Sequence, residues 1–263
     1  MAKILILLFL IAFGLGFLRP GNFTPFAPDG SMGILSGAAL IFFAYTGFAR
    51  VTIMAEEVKD PEKTIPCSIF LALGISTVIY LLVSIVAVGL AGAPALALSG
   101  SPLAGAIGMT GNSGTVMVIS LGAMIATASV LLTTIMGISR VVFSMARSND
   151  LPLLFGRIHS RFSTPHYAIV ITGACMIAAI LLADLTLVVS VSTFAMLLYY
   201  LIANIAALRL PPEHRKYPAF VPVSGAMSCF TLIIFLSPAS WIIGCIGLLI
   251  GGLWFFFRRK TVA

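Results

Sequence analysis

Long runs of apolar residues are the feature of this sequence that most restricts its fold. The stretch IYLLVSIVAVGLAG is one part of such a run. Runs of about 17 to 25 apolar residues mark helices that cross a hydrocarbon core about 30 Å thick, whereas barrel strands alternate in polarity. The sequence therefore predicts an all-α polytopic membrane protein with about eight transmembrane helices. The predicted spans are 33–54, 66–92, 114–145, 167–183, 186–208, 219–236 and 239–257, with a shorter apolar segment at 4–18.

The composition and the placement of charge agree with this class and predict an orientation. Hydrophobic residues make up 60% of the 263 residues and charged residues only 9%, against about 25% charged in soluble domains. The net charge of +7 does not form a nucleic-acid-binding patch, because nearly all basic residues fall at one set of span ends. By the positive-inside rule these ends are cytoplasmic, as are both termini of a multi-pass protein of the cell membrane. The basic residues concerned are Lys59, Lys63, Arg140, Arg147, Arg157, Arg161, Arg209, Arg215, Lys216, Arg258, Arg259 and Lys260.

The apolar segment at 4–18 follows Lys3 and has two interpretations. A signal peptide would place small residues at a cleavage site, and no A-x-A pattern follows here. A helix of about 15 residues spans only about 22 Å, which is less than the hydrocarbon thickness. We therefore expect the outer part of a span whose beginning is missing.

Residues that could carry enzyme or metal chemistry are absent from the predicted spans, which contain no His, Asp or Glu. Intramembrane proteolysis needs such groups as catalytic acids or metal ligands. The cysteines form no CxxC motif and are interpreted as small core residues. The sequence thus predicts neither an enzyme nor a bound cofactor or metal. The cysteines are Cys67, Cys175, Cys229 and Cys245.

The stretch FFAYTGFAR interrupts the predicted span 33–54 with weak helix formers. Gly47 tolerates unusual dihedrals, and Tyr45 and Thr46 bring polar groups to mid-membrane depth. Such a stretch is typical of a discontinuous helix whose freed backbone groups bind a charged solute. The alternative is a packing glycine in a continuous helix, with the threonine bonded to its own turn.

Arg50 also has two interpretations. A guanidinium near the bilayer centre costs at least about 2.5 kcal/mol on insertion scales. Arg50 and Glu57 are seven residues apart and so share a helix face, and the arginine can extend toward the cytoplasmic end. The alternative is a gate formed by these charges at the inner vestibule.

Two motifs resemble the amino-acid/polyamine/organocation superfamily of secondary transporters. The stretch FFAYTGFARVTIMAEEVKDPEKTIP is similar to the sixth span of its amino-acid permeases and the following loop. The stretch SRVVFSMARSNDLP is similar to the end of their eighth span. The resemblance implies spans five to twelve of a leucine-transporter-type fold in one membrane domain, residues 1–263. Residues 33–210 would be the second inverted repeat, and 219–257 would hold two further spans.

The resemblance also implies roles for particular residues. Phe43 would be the aromatic gate over the substrate, and the backbone of Ala44, Tyr45, Thr46 and Gly47 would meet the substrate's amino group. Lys3 matches a lysine that stands in for a sodium ion in sodium-independent members, and Thr127 and Ser129 are the candidates for its neighbours. Many relatives carry an acidic residue where this chain has Ala49.

The implied function is amino-acid transport by alternating access, in the C-terminal part of a sodium-independent, proton-coupled permease. Its partners would be an amino acid, a proton, the lipid bilayer and a separately encoded N-terminal half, because the family's first four spans are missing. The alternative is a truncated, non-transporting membrane fragment or an assembly subunit.

Overall fold

The computed structural model describes residues 2–47, 58–211, 213, 215 and 217–262. The described part is built from α-helices joined by turns and short 3₁₀ segments, as predicted for an all-α protein. The helices are α1 (Ala2–Gly14), α2 (Gly30–Phe42), α3 (Pro61–Ala91), α4 (Ala93–Ala97), α5 (Pro102–Gly108), α6 (Ser113–Arg147), α7 (His166–Leu182), α8 (Leu185–Leu208), α9 (Phe220–Ile234) and α10 (Pro238–Val262).

Four of the described helices are long and apolar enough to cross a membrane: α3, α6, α8 and α10. Four further apolar helices are shorter, and each overlaps a predicted apolar segment. Of these, α9 has 15 residues and is about 22 Å long at 1.5 Å per residue. The chain is therefore a polytopic helical membrane protein.

The first two of the full-length predicted spans differ from the structure at their boundaries. The span predicted at 33–54 is not a continuous helix, because α2 ends at Phe42 and a 3₁₀ turn, Phe43–Tyr45, follows. The span predicted from residue 66 begins earlier, at Pro61. Proline is favoured at the first helical position because its fixed φ suits the helix and its missing N–H needs no partner there.

By its contacts the chain divides into two compact units, of which the first contains residues 1–28 and 47–132. In this unit α3 packs against α1 and α5. The backbone N–H of Arg19 and the side chain of Asn22 both donate to the carbonyl of Gly89, each at 2.9 Å, and so connect the loop after α1 to α3. The core is formed by Leu10, Val86, Ala87, Leu90, Ala106, Ile107 and Ile119.

The second unit contains residues 29–46 and 133–263, and α8 is its central helix. α8 contacts α2, α9 and α10. Gly225 of α9 lies directly against Asn204 of α8, since an added Cβ would approach the asparagine Oδ1 to 2.5 Å. Small residues allow such close approach between membrane helices. The core of this unit is formed by Ala39, Phe194, Leu197, Cys229, Ile233 and Leu236.

Candidate functional site

The C-terminal end of α2 is the first candidate site. After the 3₁₀ turn, Thr46 is extended at ψ 153°, and its N–H and hydroxyl both donate to the carbonyl of Phe43, at 3.2 and 2.7 Å. Gly47 then adopts φ +115°, a value that side chains of L residues rarely allow. The helix therefore stops at this stretch, and the threonine bond belongs to the turn that stops it.

Aromatic packing holds this end of α2 in place. The rings of Phe42 and Tyr200 meet edge to face, with centroids 5.9 Å apart, and both pack on the core of the second unit. Phe43, the next residue, is not among the residues packed on this core and is 40% exposed. The anchored residue is thus Phe42, and Phe43 presents its ring at the helix end.

The electrostatics of a helix end favour one sign of charge here. The last carbonyls of a helix have no N–H partners within it, and the aligned peptide dipoles leave a partial negative charge of about half an electron. The C-terminal end of α2 coincides with residues 43–47. This geometry suits a cation or an ammonium group.

The second candidate site is the contact between Lys3 of α1 and Ser129 of α6. The Lys3 ammonium donates to the Ser129 hydroxyl at 3.1 Å, and both residues are partly buried. The structure thus brings together two of the three residues predicted for coupling. An ionisable residue within a membrane segment is costly and is a candidate functional group.

The close crossing of α1 and α6 positions this pair. An added Cβ on Gly122 would lie 2.7 Å from Ile6, so the helices touch where the glycine has no side chain. Leu10 and Ile119 belong to the same core. The contacts from 3 to 129 and from 6 to 122 show that α1 and α6 run antiparallel. Gly122 was not predicted from the sequence; the signal was a small residue two helical turns from Ser129.

Thr127, the third predicted coupling residue, is placed differently. It is exposed, and its hydroxyl donates to the carbonyls of Ala123 and Met124 at 2.9 and 3.0 Å. Threonines in membrane helices commonly bond to their own backbone in this way. Thr127 therefore takes no part in the Lys3 contact that Ser129 makes.

The predicted inner gate, Arg50 and Glu57, lies outside the described residues, as does Ala49. Within the described ranges, no group of three or more His, Cys, Asp or Glu side chains could hold a metal ion.

The whole chain matches a known protein family. The amino acid permease family model matches residues 1–257. This chain therefore belongs to the amino acid permease family of the amino-acid/polyamine/organocation superfamily, as the two motifs predicted.

The relatives of this chain are named for different substrates. An uncharacterized transporter of Mycobacterium tuberculosis is 34% identical over 94% of this chain and 56% of its own length. A methylthioribose transporter of Bacillus subtilis is 34% identical over 98% of this chain and 58% of its own. A branched-chain amino acid permease of the same organism is 30% identical over 98% and 57%. The chain spans a little over half the length of these curated relatives.

Proposed function

We propose that this chain is the C-terminal part of a permease that carries amino acids across the cell membrane by alternating access. Membership of the amino acid permease family supports this, and the names of the relatives indicate transport rather than catalysis. The single observation that carries the proposal is the stop of α2 at residues 43–47 inside a predicted span. Broken helices of this kind hold the solute in secondary transporters.

In this proposal the break in α2 binds the substrate's amino group. The backbone of Ala44, Tyr45, Thr46 and Gly47 surrounds the negative end of the α2 dipole, which attracts an ammonium. Phe43 is exposed at the same point and acts as the aromatic gate. Arg50 and Glu57 follow in the chain, and we propose that they form the inner gate.

In the same proposal, the contact between Lys3 and Ser129 couples transport to the proton gradient. A lysine ammonium supplies the positive charge that a sodium ion would otherwise bring, and Ser129 accepts its hydrogen bond at 3.1 Å. Transport would then depend on the proton gradient through this contact, without sodium. Thr127, whose exposed hydroxyl bonds inside its own helix, is not part of this contact.

The orientation and the partner belong to the same proposal. Both termini lie in the cytoplasm, and residues 33–210 form the second inverted repeat, which rocks against a first repeat encoded separately. The rival is a non-transporting fragment or assembly subunit that keeps the motif without activity.

The experiment measures uptake of radiolabelled solutes by cells that produce residues 1–263 alone, or together with the coding sequence immediately upstream. The solutes are branched-chain amino acids and methylthioribose, because two of the relatives are named for these substrates. We expect amino-acid uptake with the upstream sequence. Uptake of methylthioribose alone would show that the substrate is not an amino acid. No uptake of any solute in either arrangement would support a non-transporting fragment or assembly subunit.

A further inference from the structure

A polar cavity lies in the second unit, beside the tight turn that joins α7 to α8. Its volume is about 780 Å³. Its walls are the second half of α2, the start of α8 and the turn between α9 and α10. All of these residues belong to one compact unit, and none belongs to the candidate sites at residues 43–47 or at Lys3.

Oxygen atoms supply the polar part of the lining. Asp184 contributes a carboxylate, and Ser36, Thr186, Ser190 and Ser237 contribute hydroxyls, while the other lining side chains are apolar or proline. None of the described lining residues is Lys, Arg or His. The cavity therefore offers acceptors and one negative charge.

Two of these groups lack partners among the described residues. Asp184 precedes α8 but makes no side-chain hydrogen bond to the helix N-terminus, as an aspartate there commonly does. Ser190 is only 3% exposed and lines the cavity, and its hydroxyl bonds to no other described residue. By contrast, Ser237 is paired with Ser240 at 2.7 Å. Polar groups normally have partners, so a carboxylate and a hydroxyl that bond to no described residue and line the same cavity are available to a ligand.

The chemistry of the lining selects the ligand. A bound Ca²⁺ needs six to eight oxygens at about 2.3 to 2.6 Å, and a wide cavity with one carboxylate does not supply them. A primary ammonium needs only a few acceptors and a counter-charge, and its apolar chain would fit the remaining walls.

We propose that this cavity binds the primary ammonium group of a small organic molecule, with the Asp184 carboxylate as its counter-charge and the lining hydroxyls, Ser190 among them, as acceptors. The molecule is either a free amino acid or the headgroup of phosphatidylethanolamine, which present the same group. A passing substrate as occupant rests on the proposed function, whereas a lipid headgroup does not.

The test uses residues 1–263 purified into nanodiscs of phosphatidylcholine, whose headgroup lacks a primary ammonium. Saturation-transfer NMR follows titration with n-butylammonium and with butan-1-ol, its neutral counterpart. We expect butylammonium to bind and butanol not to bind. Asp184→Asn should weaken binding about fivefold, as for an exposed ion pair, and Ser190→Ala about threefold, as for one hydrogen bond.

Matched variants separate a site from a general loss of structure. Asp184→Glu should retain binding, because it keeps the charge. Asp29→Asn changes another exposed carboxylate before a helix of the same unit, and Ser224→Ala removes a hydroxyl that is bonded within its own helix. Neither should alter binding. Equal binding of butanol, an unchanged affinity in Asp184→Asn, or equal weakening by Asp29→Asn would overturn the proposal.

Competition identifies the source of the ammonium. Loss of the butylammonium signal in nanodiscs containing phosphatidylethanolamine assigns the site to the lipid headgroup, and displacement by L-valine assigns it to a free amino acid. Either result supports the site. The assay does not depend on transport, so failed uptake with retained butylammonium binding would reject the proposed function alone.

Discussion

At the scale of single residues, Gly47 is distinguished by its backbone and not by its surroundings. Its φ is +115°, and an added Cβ would meet nothing within 4 Å. We expect Gly47→Val to abolish uptake by the assembled permease, because this backbone conformation would be strained by about 1 to 3 kcal/mol. The measurement is initial uptake rate, corrected for membrane abundance.

Gly37→Val is the matched control for Gly47. Gly37 lies within α2, also has open space around an added Cβ, and has ordinary helical φ. Uptake should survive this change with a modest loss. Equal loss in both variants would contradict a special role for the conformation at Gly47.

Substitution of Phe43 tests whether its ring is the aromatic gate over the substrate. Its ring is 40% exposed at the end of α2 and does not belong to the described core, so its removal should spare the fold. We expect Phe43→Ala to lower uptake at least tenfold at normal membrane abundance. Phe220→Ala is the control, because that ring is 76% exposed at the start of α9. Normal uptake by Phe43→Ala would remove this segment from the site.

Substitution of Lys3 tests whether this residue couples uptake to the proton gradient. We expect Lys3→Ala to remove the dependence of uptake on the proton gradient, because the only charge proposed for coupling is lost. Ser129→Ala should weaken the dependence, and Thr127→Val should leave it intact, since that hydroxyl bonds within its own helix. Uptake is measured with and without an uncoupler. A sodium requirement in the unmodified protein would refute the assignment.

At the scale of helices, the crossing of α1 and α6 decides whether Lys3 can reach Ser129. We expect Gly122→Leu to force these helices apart, since a Cβ alone would lie 2.7 Å from Ile6. Overpacking of this kind costs about 1 to 3 kcal/mol, which lowers the melting temperature of the purified chain. Proton dependence of uptake should be lost with it.

Gly137→Leu provides the control on the same helix, because nothing lies within 4 Å of an added Cβ there. In a double-mutant cycle, the coupling between Lys3→Ala and Ser129→Ala should disappear in the Gly122→Leu background and persist with Gly137→Leu. If the coupling between Lys3 and Ser129 persisted in both glycine variants, the crossing of α1 and α6 would not position this pair.

At the scale of the whole molecule, the orientation can be tested with reporter fusions. The positive-inside rule places residue 263 in the cytoplasm and the turn between α7 and α8 outside. We expect fluorescence from a fluorescent protein fused after Ala263 and inactivity of alkaline phosphatase at that position. Alkaline phosphatase fused after Leu182 should be active. The reverse pattern would invert the proposed topology.

The sequence by itself determined the class of protein, the helices and the family. Apolar runs predict helices because a hydrocarbon solvent leaves backbone groups no partners but each other, and this local rule needs no tertiary contact. The two motifs likewise predicted the family and the stretch where α2 stops. The start of α3 was predicted less well. Its first turn contains charged residues and therefore lies outside the apolar run that predicted the helix.

Only the tertiary structure decided which side chains meet. Thr127 and Ser129 are two residues apart on one helix and equally polar, yet only Ser129 reaches Lys3, because a helix turns about 100° per residue and one face alone meets α1. Gly122 gained its role from the approach of Ile6, and Asp184 and Ser190 share a cavity with residues of α2 that are distant in the chain. Such contacts join residues far apart in sequence, so no local pattern of the chain contains them.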